Sequence, residues 1–266
     1  MKVSVIVPVY NAEQYIIPCL ESLFKQTMDD IEILLVNDHG QDDSIDIARN
    51  YIKNNNTDKT TIIIDGQSNL GPGGARNLGI NQARGEYLIF VDCDDLPEPD
   101  YCESLYNAAH QYNADFACCD AYCGDKILSN KSIHTGYLNK KNRKITLANY
   151  ITYLWTYAFR REFIIENGIL FPLLRSAEDS YFVTCCILMA NYSVHIDKPL
   201  YHYIIHDTSI SHVKDKKRWK NRIASFRKVK DFAKQKDLYS QYRCIINWLC
   251  FKKGTILAIK DFLTNL

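Results

Sequence analysis

Glu86-Tyr87-Leu88-Ile89-Phe90-Val91-Asp92-Cys93-Asp94-Asp95 decides how the rest of the chain is read. Tyr87 to Val91 are five consecutive apolar or aromatic residues. That run is too short for an ordinary helix and rich in β-formers, so it predicts a central parallel strand covered on both faces. Asp92, Asp94 and Asp95 follow at its carboxyl end, the edge where open α/β sheets bind ligands. Carboxylates crowded there repel one another unless a cation or hydrogen-bond donors satisfy them. A metal-bound phosphate ligand is the natural inference.

Upstream, the same unit recurs. Val3 to Val7 predicts a strand that Pro8 closes, with Tyr10 and Asn11 on the loop and a helix from Ala12 to Lys25. Ile31 to Val36 predicts a second strand, followed by the acidic loop Asn37 to Ser44 and a helix through Ile45, Ala48 and Tyr51. Thr61 to Ile64 predicts a third, followed by the glycine-rich loop Gly66 to Gly74 and another helix. Strands alternating with helices imply right-handed crossovers and a doubly wound, mostly parallel α/β sheet flanked by helices.

Downstream, a helix from Asp100 to Tyr112 and a strand from Asp115 to Cys123 are expected, then a loop or hairpin over Gly124 to Lys144. From Thr146 through Tyr150, Leu154 and Trp155 to Phe163 the spacing predicts helix. Glu178-Asp179 precede an apolar helix ending at Met189, and two short strands, Ser193 to Ile196 and Leu200 to Ile205, lead to a polar loop containing His206. Residues 213–266 read as a basic, amphipathic helical extension of a catalytic domain at 1–212.

Composition narrows the function. The formal net charge is +1, which argues against a general nucleic-acid binder. Lys214 to Lys236 alone carries +9, so the remainder is acidic at −8. Two readings of that basic stretch stay open: a solvated face on helices that cover the domain, or attachment to anionic lipid. The ten cysteines show no recurring Cys-x-x-Cys spacing and read as reduced core thiols of a cytoplasmic protein. Met1-Lys2 leads straight into the first strand without a signal peptide, and no run of about 18 apolar residues suggests a membrane span.

Several motifs carry chemistry, each with a plainer alternative. Asp92-x-Asp94 suits Mg²⁺ or Mn²⁺, which take oxygen ligands and share them with substrate phosphates; a solvated turn is the alternative. Asn69-Leu70-Gly71-Pro72-Gly73-Gly74-Ala75-Arg76-Asn77 either serves turn geometry or aims backbone N–H groups at phosphate, and it matches neither dinucleotide nor phosphate-loop fingerprints. Glu178 and Asp179 complement a helix dipole or provide a general base. His206 is a surface or capping residue or a further metal ligand.

Taken in order, Val3 to Asn11, Leu35 to Asp38 with Asp42 and Ser44, Asn69 to Gly79, Gly85 to Asp95 and Glu178-Asp179-x-x-Phe182 resemble the family 2 glycosyltransferases of bacteria that assemble lipopolysaccharide, capsule and related surface glycans. The resemblance implies a GT-A fold and inverting, metal-dependent transfer of a sugar of the Gal, GalNAc, Glc or GlcNAc class from a UDP-sugar to an oligosaccharide or lipid-linked glycan. It implies that Pro8 and Tyr10 line the uracil pocket, and that Asp38 accepts from the base. Asn11, Asn69, Gly71, Arg76, Asn77 and Cys93 would lie by the donor, with Asp92 on the ribose side. Asp94 would bind Mn²⁺ or Mg²⁺ with His206, Asp179 beside Glu178 would be the base, and Trp155 and Arg160 would sit on an acceptor-side helix. Ile204 stands where relatives often carry an Arg, so one phosphate-facing cation is absent from that position. A nucleotidyltransferase and a non-catalytic sugar-binding module are the competing classes; the first lacks a basic loop after strand one, and the second leaves both acidic pairs unexplained.

Overall fold

The computed structural model describes residues 1–55, 57–206 and 218–256. Strands β1 (Val3–Val9), β2 (Ile31–Asn37), β3 (Thr60–Asp65) and β4 (Tyr87–Phe90) alternate with helices α1 (Ile16–Phe24), α2 (Ser44–Asn54) and α3 (Gly71–Gln82). They pair in parallel in the order β3-β2-β1-β4. The apolar runs hide a period of two. Ile6, Leu34, Leu88 and Phe90 enter one core beneath α3, whereas Val5, Val7, Ile33, Leu35 and Ile89 enter the other beneath α1 and α2. Both faces are therefore covered, which is why these strands lack a polar side.

Pro8 does not end β1: the strand pairs on to Pro8↔Val36 and Val9↔Asn37. Ile6 C=O receives the Val91 N–H and Val9 C=O the Asp38 N–H, so even-numbered residues of β1 face β4 and odd ones face β2. Proline's missing donor points to the β4 side beyond Phe90, where no ladder bond is lost.

The second half continues with β5 (Leu96–Pro97), α4 (Tyr101–Gln111), β6 (Phe116–Cys123), β7 (Lys126–Leu128), β8 (Gly136–Tyr137) and α5 (Lys140–Asn149). Where a helix was expected through Phe163, a 3₁₀ turn at Leu154–Thr156 leads into strand β9 (Tyr157–Arg160), followed by the short helix α6 (Arg161–Glu166). Strand β9 runs antiparallel between β4 and β6, in register Leu88↔Phe159 and Ala117↔Ala158. Tyr157 and Phe159 fill one core and Ala158 the other, so a strand buried on both faces imitated helical spacing. Next come α7 (Glu178–Met189) and β10 (Tyr192–Tyr203), a single strand beside β6 whose register shifts around Pro199 split it into two in the sequence reading. The observed order is β3-β2-β1-β4-β9-β6-β10-β5, with β7 on β6 and β8 on β10, a mostly parallel sheet as expected.

Helices α8 (Arg218–Gln235) and α9 (Tyr239–Leu249) and a π-helical turn (Cys250–Ile256) follow. Phe226, Val229, Phe232, Tyr242, Ile246 and Leu249 join Phe182, Leu147 and Tyr150 in one core. The expected boundary at 212 and the loop from Asp207 to His212 lie outside the described residues. Among the described residues no helix is long and apolar enough to cross a membrane.

One glycine sets how closely β4 can start against β1. A Cβ on Gly85 would lie 2.3 Å from Ser4 N and 2.6 Å from Val3 C, both backbone atoms that cannot rotate away. Gly85→Ala is expected to cost stability at or above the upper end of the usual overpacking range of about 1–3 kcal/mol, read as a lowered denaturant midpoint.

Candidate active site

The carboxyl ends of β1, β2 and β4 meet the N-termini of α3 and α7, and one side chain ties the two halves together. Arg76, on the second turn of α3 and 7% exposed, donates from Nη2 to Asp92 Oδ1 at 2.7 Å and from Nη1 to Glu178 Oε1 at 2.7 Å. Its Cζ sits 5.6 Å over the Phe171 ring, which stacks on Phe182 at 4.0 Å. Burial favours the uncharged form of Arg76, yet Asp92, Glu178 and Asp179 outweigh it and hold the guanidinium firmly protonated.

That bridge separates the two α7 acids. Glu178 accepts from Arg76, whereas the half-buried Asp179 receives only the Ser180 N–H at 2.6 Å among the hydrogen bonds of described residues. Burial, with Glu178 beside it, pushes the Asp179 carboxyl up to about 7, against the pull of Arg76. Ala177, immediately before the helix, holds φ at 61°, a left-handed conformation that costs a non-glycine residue about 1–3 kcal/mol and sets the angle at which the two acids enter the site.

The three acids after β4 differ in their surroundings. Asp92 takes the guanidinium. Asp94 is pushed up to about 6 by burial and by the Asp92 charge. Asp95, 1% exposed, accepts the Ile204 N–H at 2.8 Å and the Tyr201 hydroxyl at 3.0 Å, and Tyr201 Oη in turn accepts the Asp92 N–H at 3.1 Å. Burial together with Asp92 holds Asp95 far above the usual carboxylate range, so it is a structural acid linking β4 to the end of β10. His206 approaches the backbone of this turn: its Nε2 is 3.3 Å from the Asp94 carbonyl, and its ring lies 4.2 Å from that of Tyr15.

On the other side of Arg76, buried Asp38 accepts the Leu70 N–H at 2.8 Å, and Asn69 Oδ1 accepts the Gly71 N–H at 3.2 Å, shaping the loop where Gly71 takes φ 74°. Tyr10 is exposed beside them, Pro8 is half-buried, and the Cys93 thiol backs onto the Tyr10 backbone. Asn11 turns away, its Oδ1 accepting the Gln41 N–H at 2.7 Å.

Three sequence expectations need correction. Asn77 spends both ends of its amide on Phe171, donating to its C=O and accepting its N–H at 2.9 Å each, so it pins a loop and does not face a ligand. Trp155 lies in the 3₁₀ turn, 5% exposed, its ring stacked with Tyr153 at 5.0 Å, Tyr201 at 4.6 Å and Tyr203 at 5.6 Å. Its apolar surface is already used, and the accessible ring of the stack is Tyr153. Arg160 pairs with Asp115 and with Tyr87 across β4, at the opposite edge of the sheet from the acids, because β9 runs antiparallel to its neighbours. No periodicity signalled Tyr201 or Tyr153: Tyr201 stands near the end of β10 and Tyr153 immediately before the 3₁₀ turn.

The arrangement keeps one acid, Asp179, outside the guanidinium's hydrogen bonds and able to take a proton, facing a second carboxylate set that would need a cation to accept an anionic ligand. Known proteins with this architecture bear on what that ligand is. Residues 4–169 match the model described as glycosyl transferase family 2. The chain is 34% identical over 275 residues to the putative glycosyltransferase EpsH of Bacillus subtilis, covering 99% of this chain and 78% of that protein. It is 32% identical over 215 residues to a poly(ribitol-phosphate) beta-glucosyltransferase of Bacillus spizizenii, covering 78% of this chain and 33% of that one. Among solved structures, S. aureus TarS 1-349 in complex with UDP superposes with a TM-score of 0.67 at 26% identity, over 85% of this chain and 64% of that one. With the acids standing at the strand ends of this mostly parallel GT-A sheet, the chain belongs to glycosyl transferase family 2 and is a glycosyltransferase.

Proposed function

We propose that the enzyme moves a hexose or N-acetylhexosamine from a UDP-sugar to a hydroxyl of an oligosaccharide or lipid-linked glycan, in one displacement that inverts the anomeric carbon. The observation that carries this reading is the Arg76 bridge, which holds the nucleotide-side acid Asp92 and the α7 acids around one site and leaves Asp179 outside the guanidinium's direct hydrogen bonds. The UDP in the TarS complex supports the choice of nucleotide.

Pro8 and Tyr10 flank the uracil, the second oxygen of Asp38 accepts from the base, and Asp92 meets the ribose. Asn11 and Cys93 position these loops through Gln41 and the Tyr10 backbone. Asp94 fits Mn²⁺ or Mg²⁺: its carboxyl is held protonation-prone by burial and a neighbouring anion, a state that a hard cation relieves. Among the described residues no three His, Cys, Asp or Glu side chains converge as ligands, so diphosphate oxygens of the donor would complete the shell, with His206 alongside. When bound, the ion offsets charge developing on the departing UDP. Asp179 takes the proton of the acceptor hydroxyl as that oxygen attacks the face opposite the leaving group.

A panel of nucleotide sugars with Mn²⁺, read as nucleotide release with and without oligosaccharide acceptors, tests the reaction class. Asp179→Asn is expected to lower transfer by roughly 10²–10⁴-fold while UDP affinity stays within a few fold; retained turnover removes Asp179 from the role of base. Because the base works only when ionised and its carboxyl is raised to about 7, kcat/KM should climb as pH rises through about 7 and fall with unit slope below it. Asp94→Asn should abolish stimulation by Mn²⁺ and weaken UDP binding in its presence, leaving metal-free UDP binding intact.

The basic α8 and the exposed Phe251, next to Lys252 whose Nζ sits 4.5 Å over the Trp248 ring, support contact with an anionic membrane face. Flotation with anionic liposomes at low salt is the check; a chain that stays in the soluble fraction sinks the idea.

A further inference from the structure

The C-terminal π-helical turn reaches the base side of the site, a contact no donor-side motif requires. Gly254 lies flat on α8, where a Cβ would be 3.2 Å from Phe226 Cβ, and Cys250 Sγ donates to the Phe226 carbonyl at 3.3 Å. Pinned in this way, the turn sends Lys253 toward Tyr150: Nζ donates to the Tyr150 carbonyl at 2.9 Å and sits 3.4 Å over the Tyr150 ring. The Tyr150 hydroxyl hydrogen-bonds Thr184 Oγ1 on α7, little more than one turn past Asp179. Lys253, Tyr150 and Tyr153 all lie within the field of the Asp179 carboxylate. From α8, Asn221 Nδ2 donates to Ser176 Oγ at 3.1 Å and ties the same layer to the loop before α7. A π-turn is an uncommon element that recurs at functional sites.

We propose that Lys253 is an acceptor-recognition residue that receives an anionic substituent, phosphate or carboxylate, of the acceptor glycan while the hydroxyl to be glycosylated faces Asp179. The proposal rests on Asp179 marking the acceptor side. Three observations support it. Among the described residues Lys253 forms no ion pair, and the polar partner of its Nζ is a backbone carbonyl. Burial, then the charges of Lys252 and Arg222, pull its ammonium down to about 7, and an anion arriving beside Nζ favours the charged form. Tyr153, 39% exposed and stacked on Trp155, offers an apolar ring face for a sugar beside the same carboxylate.

The test measures equilibrium binding to the full chain saturated with UDP, so it needs no turnover. Galactose is compared with galactose 6-phosphate, galacturonate and hexyl phosphate, in the wild type, Lys253→Met and Lys253→Arg. The expected result is that at least one of the three anions binds tenfold or more tighter than galactose, that Lys253→Met removes that ratio and Lys253→Arg keeps most of it. Whichever anion shows the ratio identifies its source as a sugar phosphate, a sugar carboxylate or a lipid-type phosphate. UDP affinity within twofold across the three proteins shows that the variants are folded. Ratios near one for all three anions in the wild type, or a ratio unchanged in Lys253→Met, overturn the assignment. Failure of the wild type to bind UDP would instead count against the donor reading.

Discussion

The site depends on one buried guanidinium. Arg76 has one carboxylate on each of its terminal nitrogens, while its Nε finds no partner among the described residues. Taking such a group out of water is repaid only by close ionic hydrogen bonds, and breaking a buried pair typically costs about 3–5 kcal/mol because the surviving charge is left without compensation. Here two surviving charges would be stranded, with Asp179 close by. The same bridge is what makes Glu178 and Asp179, adjacent in sequence, chemically unlike: one carries the guanidinium's hydrogen bond, the other lies outside it and is lifted toward neutrality by burial.

A second link, uncharged, runs from the strand end to the far side of the sheet. Tyr201 donates to Asp95 and accepts from the Asp92 backbone, while the Ile204 N–H closes on the other Asp95 oxygen. The Asp92–Asp95 turn therefore cannot shift without disturbing the segment that leads to His206. The stack of Tyr153, Trp155, Tyr201 and Tyr203 backs this link with flat apolar surface, which explains why a tryptophan at the site's edge is buried.

What could be read from residues alone followed from repetition. Four strands in succession, each closing in a polar or glycine-rich loop, announce a parallel sheet and the edge where its ligands bind, and the acids at Asp92 and Asp94 fall on that edge. Strand β9 could not be read the same way. Tyr157, Ala158 and Phe159 are buried on both faces, so neither two-fold nor helical spacing distinguishes them, and the strand's antiparallel sense, which carries Arg160 to the edge opposite the acids, has no local signal. Asn77 was illegible for another reason: an amide that clamps a loop through both ends looks in sequence like one that greets a ligand. The roles of Arg76 and Lys253 depend on partners about 100 residues away in the chain, at Glu178 and Tyr150, and no local pattern carries that information.

Strand β9 also fixes an order of events for a chain made from its N-terminus. Its slot lies between β4 and β6, both of which precede it in sequence, and it pairs with each in the antiparallel sense. Until residue 160 has left the ribosome, β4 presents an unpaired edge made of Tyr87, Leu88, Ile89 and Phe90, the kind of surface through which nascent chains associate. The completed N-terminal half is thus not a finished unit in translation. It waits for a late strand, and the same strand delivers the aromatic turn to one edge of the sheet and the Arg160–Asp115 pair to the other.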